Sequence, residues 1–422
     1  MRERLEEYFD KLWPINRSIM GPGTRRSFDI LEELVPFERL TFNTGDKVLD
    51  WEVPKEWNVN DAYFISPDGQ KYCDFKANNL SLLGYSMPCD MSVDLEDLKK
   101  HLYTLKDLPN AIPYVTSYYK ERWGFCIPYD QYKDLPDGKY RVKIDTELYN
   151  GKLEVAQAVL PGVSDKEILF STYICHPSMA NNELSGPLAL CFLYEKIKEI
   201  PSRKFTYRFV VSSETIGTIC YLSKMGNLLK DRLVAGYVLT CLADPGNFTY
   251  KLSRDGDGLV DRIAKKALGK YNPTILNFNP SDGSDERQYC SPGYNLPVGS
   301  LMRTKYGEFE QYHTSLDNKE FISFDSLLES INAYFEIVTT FETELLFERM
   351  EPFGEPQLGK RGLYRSLSTK SNLQEDLAAV FWILNLADGL NEIDRISKKS
   401  GIESNVILAV AEELKKVGLL KC

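Results

Sequence analysis

The chain has 422 residues, more than one ordinary domain holds, so two or three domains are expected. Its hydrophobic content of 43% is enough for substantial cores. A formal net charge of −10 and an isoelectric point near 5.2 argue against a general binder of phosphate backbones, which needs clustered Lys and Arg.

The opening "MRERLEEYFDKLWPINRSIMG" reads as a charged amphipathic helix without the apolar centre of a secretory signal. "SIMGPGTRRSFDILEELV" then reads as a Gly/Pro turn and a second helix, with Arg17, Arg25 and Arg26 placed either to bind an anion or to solvate a helix end. From about Leu40 to Val142 the texture is short aromatic or alternating runs, and the Asp-Gly of "SPDGQ" marks a hairpin turn, so a β-rich module is expected. Within it "TSYYKERWGF" gathers Tyr118, Tyr119, Arg122 and Trp123, a cluster that serves either as core or as a sugar- or partner-binding surface. His101, among charged neighbours, reads as a surface histidine.

From "KLEVAQAVLPG" the pattern is strand "EILFSTYIC", helix "SGPLALCFLYEKIKEI", strand "YRFVVSS", a helix after "TIGTIC" and strand "LVAGYVLTCL". Such alternation predicts a largely parallel sheet covered by helices on both faces. After "MEPFGEPQLGKRGLY" come the helical stretches "NLQEDLAAVFWILNLADG", "NEIDRISKKSG" and "ESNVILAVAEELKKVG", a succession that resembles a winged helix-turn-helix. From residue 351 onward this part carries ten Lys or Arg and ten Asp or Glu. A reading head needs a basic face, so nucleic acid is not the expected partner and packing against protein is. The expected division is 1–40 with 143–347 as the α/β domain, 41–142 as the inserted module and 348–422 as the winged helix. Nine scattered cysteines without a CxxC pair fit reduced thiols in a cytoplasm, and no apolar run reaches membrane-spanning length.

In an open α/β sheet, ligands collect at the carboxyl ends of the strands. His176 follows the first of these strands, Glu214 the second and Asp244 the third, so three successive units each bring one candidate ligand or base to one edge. His313, in "EQYHTSLDN", is a further histidine with suitable neighbours. His and carboxylate groups from separate strand ends suit a zinc site that keeps one position open for water. "GSDERQY" places Asp285, Glu286 and Arg287 in a Gly/Ser loop, where a solvated charge run is the plain alternative to a ligand clamp.

The order His176, "NELSG", "SETIG", "LADPG" with Asp244 and "YHTSLDN" with His313 resembles the zinc aminopeptidases with a co-catalytic metal pair, over the N-terminal helices and roughly residues 145–345. With "RSIMGPGTRRSFDIL", "VPKEWNV", "TSYYKERWGFC", "CHPSMANNELSGP" and "SDERQYCSPGYNLPVGSLMRT" added, nearly the whole chain resembles polysaccharide-biosynthesis proteins that carry an aminopeptidase-like domain, an inserted β-module and a C-terminal winged helix. The resemblance implies His176, Asp244 and His313 as metal ligands and Glu214 as general base. It also places Asp285 and Arg287 at the substrate-binding edge, and Tyr312, beside His313, is counted with them.

Two positions depart from the family. Asn182 stands where the bridging Asp is expected, and Thr215 replaces the second Glu of the pair. A neutral amide binds zinc poorly and cannot bridge two ions, so one zinc is expected; Glu183 is the candidate to replace the lost carboxylate in the pocket. The expected activity is zinc-dependent hydrolysis of an amide in a small or peptide-like, sugar-linked substrate, in a chain that can form homo-oligomers. The alternative is a sugar- or nucleotide-sugar-binding protein that kept the fold and lost catalysis.

Overall fold

The structure, a computed structural model, describes residues 1–363 and 373–422, with the side chains of 373–375 also outside the description. The chain divides into two compact units, Met1–Val338 and Thr339–Cys422, and the divide falls within helix Phe324–Thr343.

Unit 1 is built on an eight-stranded sheet. We number its strands β1 (Glu38–Asn43), β2 (Lys152–Leu160), β3 (Glu167–Tyr173), β4 (Thr206–Ser212), β5 (Leu233–Leu239), β6 (Thr249–Lys251), β7 (Thr274–Leu276) and β8 (Val298–Met302). Their spatial order is β1-β2-β4-β3-β5-β8-β6-β7. The centre β4-β3-β5-β8 is parallel, whereas β1, β2 and the β6-β8 contact are antiparallel. Every residue of β3, β4 and β5 is buried, which is why these strands read as continuous apolar runs instead of alternating ones. Helices Ser185–Lys198, Ile216–Arg232 and Leu259–Leu268 connect the strands and pack on them. Gly186 is required at the first of these contacts, since a Cβ there would lie 2.3 Å from Thr172 Oγ1 and 2.5 Å from the Leu239 carbonyl.

The polar residues inside this core are paired. Arg208 on β4 donates to both carboxylate oxygens of Glu167 on β3, at 2.5 and 3.0 Å, and to Gln157 on β2 at 2.9 Å. Such a network holds the parallel register, since breaking one partner would leave a buried charge alone.

The inserted module forms an antiparallel sheet of strands Lys71–Tyr72, Glu56–Ile65, Lys139–Tyr149 and Cys89–Asp94, in that order. The expected turn closes between the first two over Ser66–Gln70, with Gly69 at φ 88°. The module's last strand runs to Tyr149 and the chain re-enters the large sheet at Lys152. His101 is half-buried instead of free on the surface: its ring stacks on Trp123 at 3.6 Å, and its Nδ1 lies 3.0 Å from the Trp123 carbonyl. Arg25, one of the ambiguous arginines, makes a bidentate pair with Glu56 at 2.6 and 2.8 Å.

Unit 2 has helices Leu373–Leu386, Ile393–Ser400 and Ser404–Lys416 and a three-stranded antiparallel sheet of Asp388–Glu392, Leu346–Arg349 and Leu420–Lys421. Ile383, Ile396, Ile407 and Leu414 form its separate core. The expected start of its first helix, Asn372, lies outside the described residues. Among the described residues no helix is long and apolar enough to cross a membrane.

Candidate metal centre

His176 leaves the carboxyl end of β3 and is buried. Its backbone N–H donates to Glu183 Oε1 at 2.9 Å, and its Nδ1 lies 2.7 Å from Glu183 Oε2. An ionised carboxylate only accepts, so Nδ1 carries a proton, and Nε2 on the far side of the ring lies 3.7 Å from Glu214 Oε2. A carboxylate behind a histidine in this way sets the tautomer of a metal-ligating imidazole. Burial opposes charge on His176, but Cys175 and Glu183 outweigh it and raise the imidazole well above its ordinary pKa. Burial pushes the Cys175 thiol up to about 11, so near neutral pH Glu183 carries that effect.

Glu183 reaches His176 because of a local irregularity. Ala180–Leu184 forms a π turn ahead of helix Ser185–Lys198. The extra residue of such a turn shifts the side chains around the helix axis, a device common at functional sites. Asn182, aligned by its spacing with the missing bridging carboxylate, instead donates to Tyr173 Oη at 3.1 Å and leaves its own buried Oδ1 without a partner. The turn is clamped by Asp317, whose oxygens accept the Asn181 and Asn182 N–H groups at 2.6 and 2.9 Å. Burial raises Asp317 to about 6 against the pull of those donors.

Glu214 follows β4, and its Oε1 accepts from Ser284 Oγ at 2.6 Å. The next residue, Thr215, has φ 63° and ψ −75°, a conformation costly for a β-branched side chain. Asp285 holds it there by accepting the Thr215 N–H at 2.7 Å. The Asp285 carboxyl is fully buried, its second oxygen has no partner, and desolvation with the nearby Glu214 charge raises it to about 8. Loop 282–287 is itself anchored by the buried pair Lys251–Glu286 at 2.8 Å. Asp285 therefore positions the Glu214 backbone, while Arg287 is half-buried and donates to Ser284 O at 3.3 Å.

His313 sits at φ 55°, with its ring centroid 5.4 Å from that of His176. Burial, and then the His176 charge, lower it to about 3, so it is neutral, the form that binds metal. Tyr312 stacks on it at 3.9 Å. The inserted module completes this corner: Tyr114 N–H donates to His313 O at 2.8 Å, and the Tyr114 ring packs 4.9 Å from His176 and 5.2 Å from His313. Arg17, another of the three ambiguous arginines, is buried and donates to His176 O at 3.1 Å, while Arg26 is exposed.

Asp244 lies at the end of β5 as expected, but its carboxylate is occupied. Oδ1 accepts from Thr304 Oγ1 at 2.6 Å and Gly246 N at 2.8 Å; Oδ2 accepts from Asn181 Nδ2 at 3.0 Å and Thr304 N at 3.2 Å. Among the described residues, the cluster whose ligand atoms all lie within 4.8 Å of one another is Cys175, His176 and Glu183. Spacing along the chain did not single out Asp317, Ser284, Tyr114 or Thr304. The polar character of "SLDN" and "GSDE" beside residues already chosen was a signal for Asp317 and Ser284, and Tyr114 and Thr304 had none.

Fold and site together define an aminopeptidase-like α/β domain with an inserted β-module, followed by a winged helix. The chain belongs to the family described as domain of unknown function DUF4910, matched over residues 6–344, and residues 346–422 match a winged helix-turn-helix family. It is 42% identical over 414 residues to a Clostridium acetobutylicum protein named for polysaccharide biosynthesis with an aminopeptidase-like domain, covering 98% of this chain and 94% of that one. A crystal structure of a C. acetobutylicum protein described as a peptidase superposes with TM-score 0.81 at 40% identity, over all of this chain and 96% of that one. A zinc aminopeptidase from Bacillus subtilis superposes with TM-score 0.56 over 80% of this chain and 93% of that one; at 12% identity the likeness is one of fold.

Proposed function

We propose that the protein is a zinc-dependent hydrolase that cleaves an amide bond. The observation that carries this reading is the approach of His176 Nε2 and Glu214 Oε2, 3.7 Å apart, with neutral His313 alongside. In the metal-free chain the raised imidazole carries its proton toward Glu214, and a zinc ion bound at Nε2 would displace that proton. His176, His313 and Asp244 are the residues that would hold one ion, although they do not form a cluster with all ligand atoms within 4.8 Å, so Asp244 would have to leave Asn181 or Thr304 and move toward the histidines. Asn182, a neutral amide, does not fit a second ion.

A zinc ion there supplies Lewis acidity, which polarises a carbonyl and acidifies water. The chain's own residues do the rest. Glu214, with Oε1 held by Ser284, uses Oε2 to take a proton from the attacking water and returns it to the leaving nitrogen. Glu183 keeps His176 in the required tautomer, and Asp285 keeps Glu214 aimed by fixing the Thr215 peptide. Arg287 and Tyr312, both half-buried, would meet an acidic or planar part of the substrate. The nine cysteines are free thiols, eight of them buried, in keeping with a cytoplasmic setting. The name of the 42% identical relative supports a sugar-linked substrate from surface-polysaccharide assembly.

Elemental analysis and turnover on Glu214→Gln test the reading. Zinc should stay near one per chain while amide hydrolysis falls about 10²-fold or more. Loss of zinc would make Glu214 a ligand. A native protein that takes up no zinc would favour a sugar-binding protein that has lost catalysis.

A further inference from the structure

The module that supplies Tyr114 also holds a cleft of about 360 Å³, within the ~300–1,000 Å³ usual for small-ligand sites. Its inner wall is Tyr118, whose hydroxyl lies 2.9 Å from that of Tyr114, the residue packed on both histidines. Its mouth carries Tyr119, 57% exposed and in edge contact with exposed Trp51 at 5.8 Å. Lys55, Lys120 and Glu121 place charged tips around the opening. Of the tyrosine cluster noted in the sequence, Arg122 is absorbed internally by Ser117, Thr116 and Tyr103, whereas Tyr118 and Tyr119 face the cleft.

One mode of peptide binding adds a strand to the unpaired backbone of a sheet edge. Here that backbone is already paired: Gly84 N–H donates to Val115 O, Ser117 N–H to Gly84 O and Met87 N–H to Arg122 O. Recognition falls to side chains, namely tyrosine surfaces with Lys and Glu tips. Aromatic faces take the apolar C–H side of a pyranose, and ammonium and carboxylate groups take its hydroxyls.

We propose that this cleft is a saccharide subsite, and that the substrate is an N-acylated amino sugar whose amide is the bond cleaved. The substrate class rests on the hydrolase reading above; the saccharide subsite does not. In the reaction, the water oxygen bonds to the carbonyl carbon, the C–N bond breaks, and the nitrogen leaves as an amine carrying the proton passed by Glu214.

The test uses the full chain, first stripped of zinc, with N,N′-diacetylchitobiose as probe and cellobiose and trialanine as comparisons. Binding is read by saturation-transfer NMR and by tryptophan fluorescence. Diacetylchitobiose should bind, and Tyr119→Ala should weaken it about three- to tenfold, the scale of one aromatic contact, with the fold checked by circular dichroism. Lys55→Ala combined with Lys120→Ala should weaken it as well. No binding of either sugar at millimolar concentration, or trialanine binding that is lost in Tyr119→Ala, would overturn the saccharide subsite. Zinc-loaded protein should then release acetate from the probe. Sugar binding without acetate release would leave the subsite standing and overturn the substrate class.

Discussion

The corners around His176 and Asp244 begin alike. Each follows a buried parallel strand at the same sheet edge, yet His176 has one ring nitrogen held by Glu183 and the other 3.7 Å from Glu214, beyond hydrogen-bond reach, while Asp244 has both oxygens occupied by four donors. Position at a strand end supplies a candidate ligand; hydrogen-bond occupancy decides whether it can act as one without rearrangement. A carboxylate with its lone pairs already satisfied must lose a donor before it gains a metal.

The sharpest way to break this contrast is His176→Ala, which removes the nitrogen that faces Glu214. Zinc should be lost and amide hydrolysis should fall at least about 10²-fold, measured by elemental analysis and single-substrate turnover. Retained zinc would place the ion elsewhere.

Next in size is a pH effect at Asp285. Its carboxyl is raised to about 8 in the folded chain, so the folded state holds a proton that the unfolded state releases above about 3.9. The native state is therefore favoured most at low pH, and stability declines as pH rises from about 4 to about 8. Asp285→Asn keeps an acceptor for Thr215 N–H and removes the titration. In zinc-free protein the variant should gain relative stability by up to a few kcal/mol between about pH 5 and about pH 8.5 in urea unfolding. Parallel pH profiles for the two proteins would reject the assignment.

A smaller effect sharpens the Asp244 side. Thr304→Val removes the hydroxyl that occupies Oδ1 with little change in shape. If Asp244 ligates after shedding a donor, zinc should bind about three- to tenfold tighter by calorimetric titration, the worth of one hydrogen bond. Unchanged or weaker binding would assign Asp244 a purely structural role. The smallest expected change is at Asn182→Asp. One restored carboxylate, facing Tyr173, should leave zinc at one per chain; a second equivalent in the same titration would restore a co-catalytic pair.

The strand and helix alternation from Lys152 to Leu239 was legible because period and burial are local properties: β3, β4 and β5 are apolar throughout, and Gly186 marks the close approach of a helix. His176 and Glu214 could be placed at one edge for the same reason. Asp285 was not legible, because a charged loop residue looks the same in sequence whether it faces substrate or is buried behind Thr215.

From composition and pattern alone follow the α/β core, the inserted module, the helical C-terminal part and the choice of histidines. Tertiary structure alone decided the rest, since each decision is a contact between distant segments: Asp317 with the turn at Asn181 and Asn182, Ser284 with Glu214, Tyr114 with His313, and Thr304 with Asp244. A π turn that brings Glu183 and not Asn182 to His176 leaves no mark in residue spacing, because the extra residue is absorbed by backbone hydrogen bonding.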